Sequence, residues 1–455
     1  MDHDRSTFSG KLGFVLSAAG ASVGLGNIWR FPYLAAKYGG GIFLLVYIAL
    51  ALTFGYTMIV AETSIGRSTG KSPVGAFRAY SDTWLMKAGG WLNAIIPILI
   101  VPYYSVIGGW VLRYLFAFTH TDMNVIAEDT FFTSFLADGW TGELWFLVFS
   151  LATLAVIVLG VQNGIEKVSG IMMPMLVLMA VFICAYTNTR PGALEGIKYF
   201  LIPDFSRFSW MTVVSAMGQM FYSLSISMGI LITFGSYMKK DVSIEDSTKQ
   251  VEFFDTGIAV LAGLMIIPAV FAFSGADAAK SLNAGPSLMF ITMPKIFASL
   301  AMGRIIAVVF FLMIFFAALT SSIALTESAV STFSDEFGWS RRKGTAVMAV
   351  IIAGLGTLSC LGYGPLASVT VIGMQFLDFF DFLTNSVMMP VSALAICVLV
   401  VKYMHIETVE EEVTMLGMPF QRRGVFRFMI RNVCPVFVII ILLSSLAGAF
   451  GIVSF

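Results

Sequence analysis

The sequence predicts an all-α polytopic membrane protein, and three observations carry that prediction. The 455 residues are 58% hydrophobic and only 12% charged, about half the charge content of a typical soluble domain. Charge-free runs recur at 12–29, 38–61, 88–112, 144–165, 168–189, 208–238, 256–276, 305–326, 344–377, 382–401 and 432–455. Each supplies the roughly 20 residues a helix needs to cross the hydrocarbon core, so eleven transmembrane helices are expected. Third, with the N-terminus placed in the cytoplasm, the alternate connections on that side hold 18 of the 27 Lys and Arg residues. Basic connections stay cytoplasmic.

The elements follow in order. The first ten residues are polar and resemble no cleavable signal, so the run 12–29 is read as the first span. The outer loop 118–143 is acidic, with Asp122, Glu128, Asp129, Asp138 and Glu143. The run 344–377 is long enough for one helix, an outer turn and the start of the next. Segment 402–431, with HIETVEEEV and QRRG, reads as a solvated inner connector carrying an amphipathic helical turn. No Pro/Ser-rich linker divides the chain, so residues 1–455 form a single transmembrane domain. Eleven spans place the N-terminus in the cytoplasm and the C-terminus outside, in a plasma (cytoplasmic) membrane.

Composition also excludes. The net charge is zero, which gives no electrostatic reason to expect a nucleic-acid partner. Cys184, Cys360, Cys397 and Cys434 lie in apolar runs at unrelated spacings and read as small buried hydrophobes. His3, His120 and His405 are scattered over polar or loop segments, so neither a His/Cys metal cluster nor a hydrolytic constellation is expected. The partners expected are a small-molecule substrate and the lipid bilayer, and the sequence does not encode an oligomeric state.

Two spans carry residues that interrupt helices. The first holds GASVGLGNIWRFPY, residues 20–33, with Gly20, Gly24, Gly26, Asn27, Arg30 and Pro32; the sixth holds QMFYSLSISMG, residues 219–229, with Ser223, Ser225, Ser227 and Gly229 in alternation. Backbone that leaves the helix inside hydrocarbon must find partners or line a cavity. The free N–H groups of a half-helix N-terminus suit a carboxylate, and the carbonyls closing the preceding half suit Na⁺. Gly24 and Gly26 let backbone approach a ligand; Asn27 and Ser223 add oxygens. The alternative is close helix packing through small residues. Two interruptions five spans apart suggest a five-plus-five inverted repeat: repeat one about 11–187, repeat two about 208–402, and an additional helix about 427–455. Broken helices at matching positions mark transporter binding sites.

Further polar groups stand in the spans. Thr320, Ser321 and Ser322 either back-bond to their own helix or coordinate a cation. Asp255 lies about two turns into the seventh helix if that helix begins near Asp246, and is either functional or nearer the inner interface. Arg30 and Asp381 either close an outer vestibule as a pair or are unrelated interfacial charges. Gly164 and Pro174 either unwind the inner end of the fifth helix or punctuate a loop.

GASVGLGNIWRFPYLAAKYGGGIF resembles the first-helix signature of the neurotransmitter:sodium symporters, which have the LeuT-type fold. VPYYSVIGGW, QMFYSLSISMG, AALTSS and FLDFFD extend the resemblance over nearly the whole chain, and it looks closest to the bacterial amino-acid branch. The rule linking broken helices to binding sites was itself drawn in part from this family.

The resemblance implies a set of site residues. A first sodium site would use the Ser22 carbonyl, Asn27, Ser223, Asp255 and the substrate carboxylate. A second would use the carbonyls of Gly20, Val23 and Ala317 with the hydroxyls of Thr320 and Ser321. Tyr104 and the N–H groups near Leu25 and Gly26 would hold the carboxylate. Tyr222 would lid the pocket, and Ile100, Ser225, Met228, Ser321 and Leu325 would line its side-chain end, with Ser227 standing where some relatives have Gly. Arg30–Asp381 would be the outer gate, and Arg5 and Asp335 with Tyr237 the inner one.

The family usually places an amide at the Asp255 position, and its chloride-dependent members bind chloride near the equivalents of Tyr47, Gln219 and Ser223. A fixed carboxylate there implies chloride-independent transport. Members that carry amines place an acid where this chain has Gly24, so this substrate must bring its own carboxylate. The expectation is Na⁺-coupled import of hydrophobic or aromatic L-amino acids by alternating access, and no enzyme activity. The alternatives are a sodium-dependent transporter of another carboxylated small molecule, or a membrane receptor or channel without turnover.

Overall fold

The computed structural model describes residues 6–275 and 287–449; Arg5, assigned above to the inner gate, lies outside them. Helix α1 (Lys11–Ser22) stops at Val23, which is extended (φ −74°, ψ 97°). Helix α2 (Gly26–Lys37) starts with a wide turn over Gly26–Arg30 and leaves α1 at 52°. Pro32 follows directly on that wide turn, at the start of the regular part of α2. It has no N–H to continue the ladder, so the irregular backbone and the proline fall together.

Helices α3 (Gly41–Thr69) and α4 (Trp84–His120) follow, then α5 (Gly139–Leu159) and α6 (Val161–Asn188). The second interruption separates α7 (Trp210–Ser223) from α8 (Ile230–Ser236). Ser209 and Thr212 form a reciprocal cap at the start of α7. Between the halves, Ser225 (φ 53°), Ser227 (φ 63°) and Gly229 (φ 71°) are left-handed, which breaks the helical ladder three times in five residues. Helices α9 (Ile244–Ser274), α10 (Gly303–Phe337), α11 (Arg341–Leu361), α12 (Phe376–Met404), α13 (Ile406–Val413) and α14 (Arg423–Gly448) complete the chain.

Among the described residues, nine helices are long and apolar enough to cross a membrane, and the bent α1–α2 pair makes a tenth. The interrupted α7–α8 pair is consistent with the eleventh span expected. Helices α4 and α10 pack along each other at the centre: in its most apolar 18-residue stretch α4 is 78% buried, against 28% for the same stretch of α6 and of α14 at the rim. Glycine sets the close approaches. A Cβ on Gly66 would stand 1.9 Å from the Ile232 carbonyl oxygen, so α3 and α8 touch backbone to backbone. The acidic loop holds the helix Asp129–Ala137. The expected helical turn in the 402–431 connector is α13, but it is not a solvated segment, since Val409, Glu410, Glu412 and Val413 are buried.

Candidate functional site

The two interruptions are bonded to each other. Ser225 Oγ donates to the Ala21 carbonyl at 3.0 Å, and Ser22 Oγ to the Leu224 carbonyl at 3.5 Å. Helix α10 closes the third side. Ser321 Oγ lies 3.2, 3.1 and 3.4 Å from the carbonyl oxygens of Gly20, Ala21 and Val23. One hydroxyl can donate to only one of them at a time. The rest is a cluster of hard oxygen donors of the kind that holds a hard cation. Thr320 behaves differently, with its hydroxyl back-bonded to Phe316 and Ala317 at 3.0 and 3.2 Å.

Beyond the break, the first N–H groups of the second half are aimed at side chains. Gly24 N–H donates to Asn27 Oδ1 at 3.1 Å, and Leu25 N–H to the Tyr104 hydroxyl at 3.3 Å. Asn27 Nδ2 donates to the Asp255 carboxylate at 2.8 Å. Tyr47 and Ser223 hydroxyls donate to the same carboxylate at 3.0 and 2.9 Å. Asp255 lies well inside α9, which begins at Ile244, and is fully buried. A buried carboxylate is tolerated where hydrogen bonds replace its water, and here three neutral side chains supply them. Gln219 Nε2 donates to the Gly26 carbonyl at 2.9 Å.

A cavity of about 30 Å³ lies between the interruptions, lined by Ser22, Gly24, Leu25, Gly26, Ile100, Tyr104, Tyr222, Ser223, Ser225, Met228, Ser321 and Leu325, together with Ala21. That volume holds little more than water. A larger cavity, about 430 Å³, lies beyond it and includes Trp29, Arg30, Trp110, Asp378 and Asp381. Leu25, Gly26 and Tyr222 line both cavities and form the wall between them.

Ser227 does not join this lining. Its N–H donates to Glu62 Oε1 at 2.7 Å and its carbonyl accepts from Ser392 at 3.1 Å, so the left-handed turn carries it toward α3 and α12. Arg30 and Asp381 share the larger cavity without a direct ion pair. The guanidinium lies over the Tyr222 ring at 5.4 Å, and Asp381 accepts from Asn385 at 2.6 Å. On the face that carries the N-terminal segment, Asp335 accepts from Ser72 N–H at 2.7 Å, and Tyr237 donates to Glu327 at 2.8 Å. Glu327 is fully buried and paired with Arg341 at 2.5 Å. Sequence reasoning missed Glu62 and Glu327. Glu62 is the first residue beyond the run 38–61 and Glu327 the first charge beyond 305–326, so both looked like helix ends.

Two interrupted spans bonded to each other around a small buried cavity define a polytopic secondary transporter. A family model described as the Sodium:neurotransmitter symporter family matches residues 5–129 and 140–450. The chain belongs to this family, and is therefore a sodium symporter and not an enzyme. It is 34% identical to the sodium-dependent transporter YhdH of Bacillus subtilis (strain 168) over 86% of each chain. It is 28% identical to the human sodium- and chloride-dependent GABA transporter 2, over 84% of this chain and 70% of that one. Among solved structures, MhsT in complex with L-phenylalanine superposes with a TM-score of 0.87 at 34% identity, covering 97% of this chain and 100% of that chain. The fold is therefore LeuT-type.

Proposed function

We propose that the protein imports hydrophobic and aromatic L-amino acids together with Na⁺, by alternating access and without a chloride requirement. The observation that carries the reading is the corner formed by Leu25 N–H and the Tyr104 hydroxyl, 3.3 Å apart beside Gly24. Both can donate to a substrate carboxylate, and the half-helix N-terminus favours negative charge. Gly24 contributes no charge and has no room for one: a Cβ there would stand 2.7 Å from Ser321 Oγ and 3.0 Å from the Tyr104 hydroxyl. The substrate brings the carboxylate.

Two Na⁺ sites follow in the proposal. The first takes the Ser22 carbonyl, Asn27, Ser223, Asp255 and the substrate carboxylate. The second takes the carbonyls of Gly20, Val23 and Ala317 and the hydroxyls of Thr320 and Ser321. The convergence of three carbonyls on Ser321 supports it. Ion and substrate share a coordination shell, so each raises the other's affinity. Asp255 supports chloride independence, because its carboxylate already occupies the donor cluster of Tyr47, Ser223 and Asn27.

Ile100, Ser225, Met228 and Leu325 form the side-chain end. An aromatic ring enters only if the cavity expands, and flexible Met228 and the Tyr222 lid are the movable walls. Such a pocket separates near-isosteres by only about 1–3 kcal/mol, so several amino acids are carried. The MhsT complex with L-phenylalanine supports this class. Residues about 11–187 and 208–402 form the two inverted repeats, with α14 added. The N-terminal segment faces the cytoplasm and the C-terminus the outside. Arg30 and Asp381 approach when the outer cavity closes; the region of Asp335 and Tyr237 opens on the inner side.

Uptake of labelled amino acids into proteoliposomes under an inward Na⁺ gradient tests the reading. Saturable uptake of Phe, Leu and Trp that vanishes in K⁺ supports it. Uptake unaffected by replacing Na⁺, or no counterflow despite binding, overturns it in favour of a receptor or channel.

A further inference from the structure

The segment preceding α1 is strapped across its face of the protein. Phe8 N–H donates to the Tyr237 carbonyl at 3.0 Å. Its ring is buried, edge-on to Phe14 and Phe234 at 5.9 and 5.5 Å. The Thr7 carbonyl accepts from Gln162 Nε2 at 2.7 Å, and the Ser9 carbonyl from Lys239 Nζ at 2.8 Å. Ser9 then gives both of its donors to one carboxylate: its N–H to Glu166 Oε2 at 2.9 Å, and its hydroxyl to Glu166 Oε1. Residues 7–9 thus bridge the start of α6 to the end of α8.

The α6 end of this bridge is irregular backbone. Gly160 is left-handed (φ 91°), and Val161–Glu166 forms a wide turn before the regular helix begins at Lys167. A Cβ on Gly164 would stand 2.3 Å from the Val156 carbonyl oxygen, so glycine is needed for the turn to fold back on α5. Wide turns of this kind interrupt the regular helical ladder, are a cause of kinks and are frequent at functional sites. Glu166 is the last residue of the turn, so its carboxylate follows any change there. A Cβ on Gly13 would stand 2.2 Å from Glu166 Oε1; glycine lets α1 come down onto the carboxylate.

We propose that Glu166 is a positioning residue for substrate release: it ties the N-terminal strap to the wide turn, so that loosening the turn frees residues 7–9 and lets α1 swing from that face. Both Ser9 bonds go to one side chain, so they are lost together. The proposal rests on the transport reading above, but the strap itself can be measured without transport.

The test is hydrogen–deuterium exchange on the full-length protein in nanodiscs, read on peptides covering residues 6–16, for Glu166→Ala, Ser9→Ala and the double variant. Glu166→Ala raises exchange there about tenfold or more, because two bonds to a charged acceptor are lost. Ser9→Ala, which keeps its N–H, raises it less and adds nothing on top of Glu166→Ala. Exchange in Phe376–Asp381 stays unchanged in all three. In liposomes, Glu166→Ala weakens apparent affinity for external substrate several-fold, and Glu166→Gln, which keeps acceptor oxygen, recovers part of it. Unchanged exchange at 6–16, or independent multiplicative effects of the two substitutions, overturns the proposal. If Glu166→Ala does not fold, Ser9→Ala and Glu166→Gln decide: both must raise exchange at 6–16. Wild-type protein that fails to bind amino acids refutes the transport reading instead, and leaves the exchange result standing.

Discussion

Asn27 donates its side-chain amide to the Asp255 carboxylate at 2.8 Å, joining the first interrupted span to α9. The same carboxylate accepts from Tyr47 and Ser223, so one buried charge organises three helices. Replacing it with an amide keeps the shape, removes the charge and sets a donor against other donors. We expect Asp255→Asn to cut uptake in gluconate buffer at least about tenfold, since an unmatched buried donor costs roughly 1–3 kcal/mol. Chloride should restore part of the loss. Wild-type uptake should be the same in chloride and gluconate, measured side by side.

Gly24 faces Ser321 and Tyr104 with no space for a methyl group. Overpacking of this kind costs about 1–3 kcal/mol, so Gly24→Ala should weaken sodium-dependent binding by roughly tenfold. Gly26→Ala presses on the Tyr222 ring, 2.8 Å from the added Cβ. It should perturb substrate entry more than Na⁺ binding, which equilibrium binding and uptake rates separate.

Much of this arrangement is legible in the residue types alone. Gly20, Gly24 and Gly26 announce an interruption because no apolar span needs three glycines in seven positions, and Asp255 stands out as a carboxylate within a long helix. The rest depends on contacts between distant segments. Glu62 and Glu327 bordered charge-free runs and read as helix ends, whereas α3 runs on to Thr69 and α10 to Phe337. Arg30 and Asp381 line one cavity without pairing, a separation that no local pattern encodes. Ser227 alternates with Ser223 and Ser225, but left-handed backbone at Ser225 and Ser227 sends its side chain elsewhere.

Glu62 holds that backbone. Its Oε1 accepts from Ser227 N–H, and both residues are fully buried. Glu62→Ala leaves the N–H unmet and should destabilise the protein by about 1–3 kcal/mol. Ser227→Gly keeps the bond and removes the side chain from a positive-φ position. Its effect should be small or stabilising, within about 1 kcal/mol. Thermal unfolding in detergent measures both.

Helix α13 is clamped to the start of α14 through Glu410, which takes bonds from Arg423 and Arg427. Burial pushes the Glu410 carboxyl up, but the Arg427 and Arg423 bonds outweigh it and hold the group below the usual carboxylate range. A lowered folded-state pKa gives a contribution that is complete above the unfolded value, about 4.3, and lost as pH falls through the lower folded value. The clamp should therefore be constant from neutral pH to about 5 and weaken only below the ordinary glutamate range. Glu410→Gln should abolish that acid-range dependence, read as exchange in peptides covering Ile406–Val413.

The corner at Leu25, Tyr104 and Gly24 is tested most directly by equilibrium binding of L-phenylalanine and of phenethylamine, its analogue without the carboxylate, in Na⁺ and in K⁺. Sodium-dependent binding of phenylalanine with none of the amine is the result expected. Equal binding of the amine, or phenylalanine binding that is the same in K⁺, would contradict a site in which the substrate supplies the carboxylate and shares it with sodium.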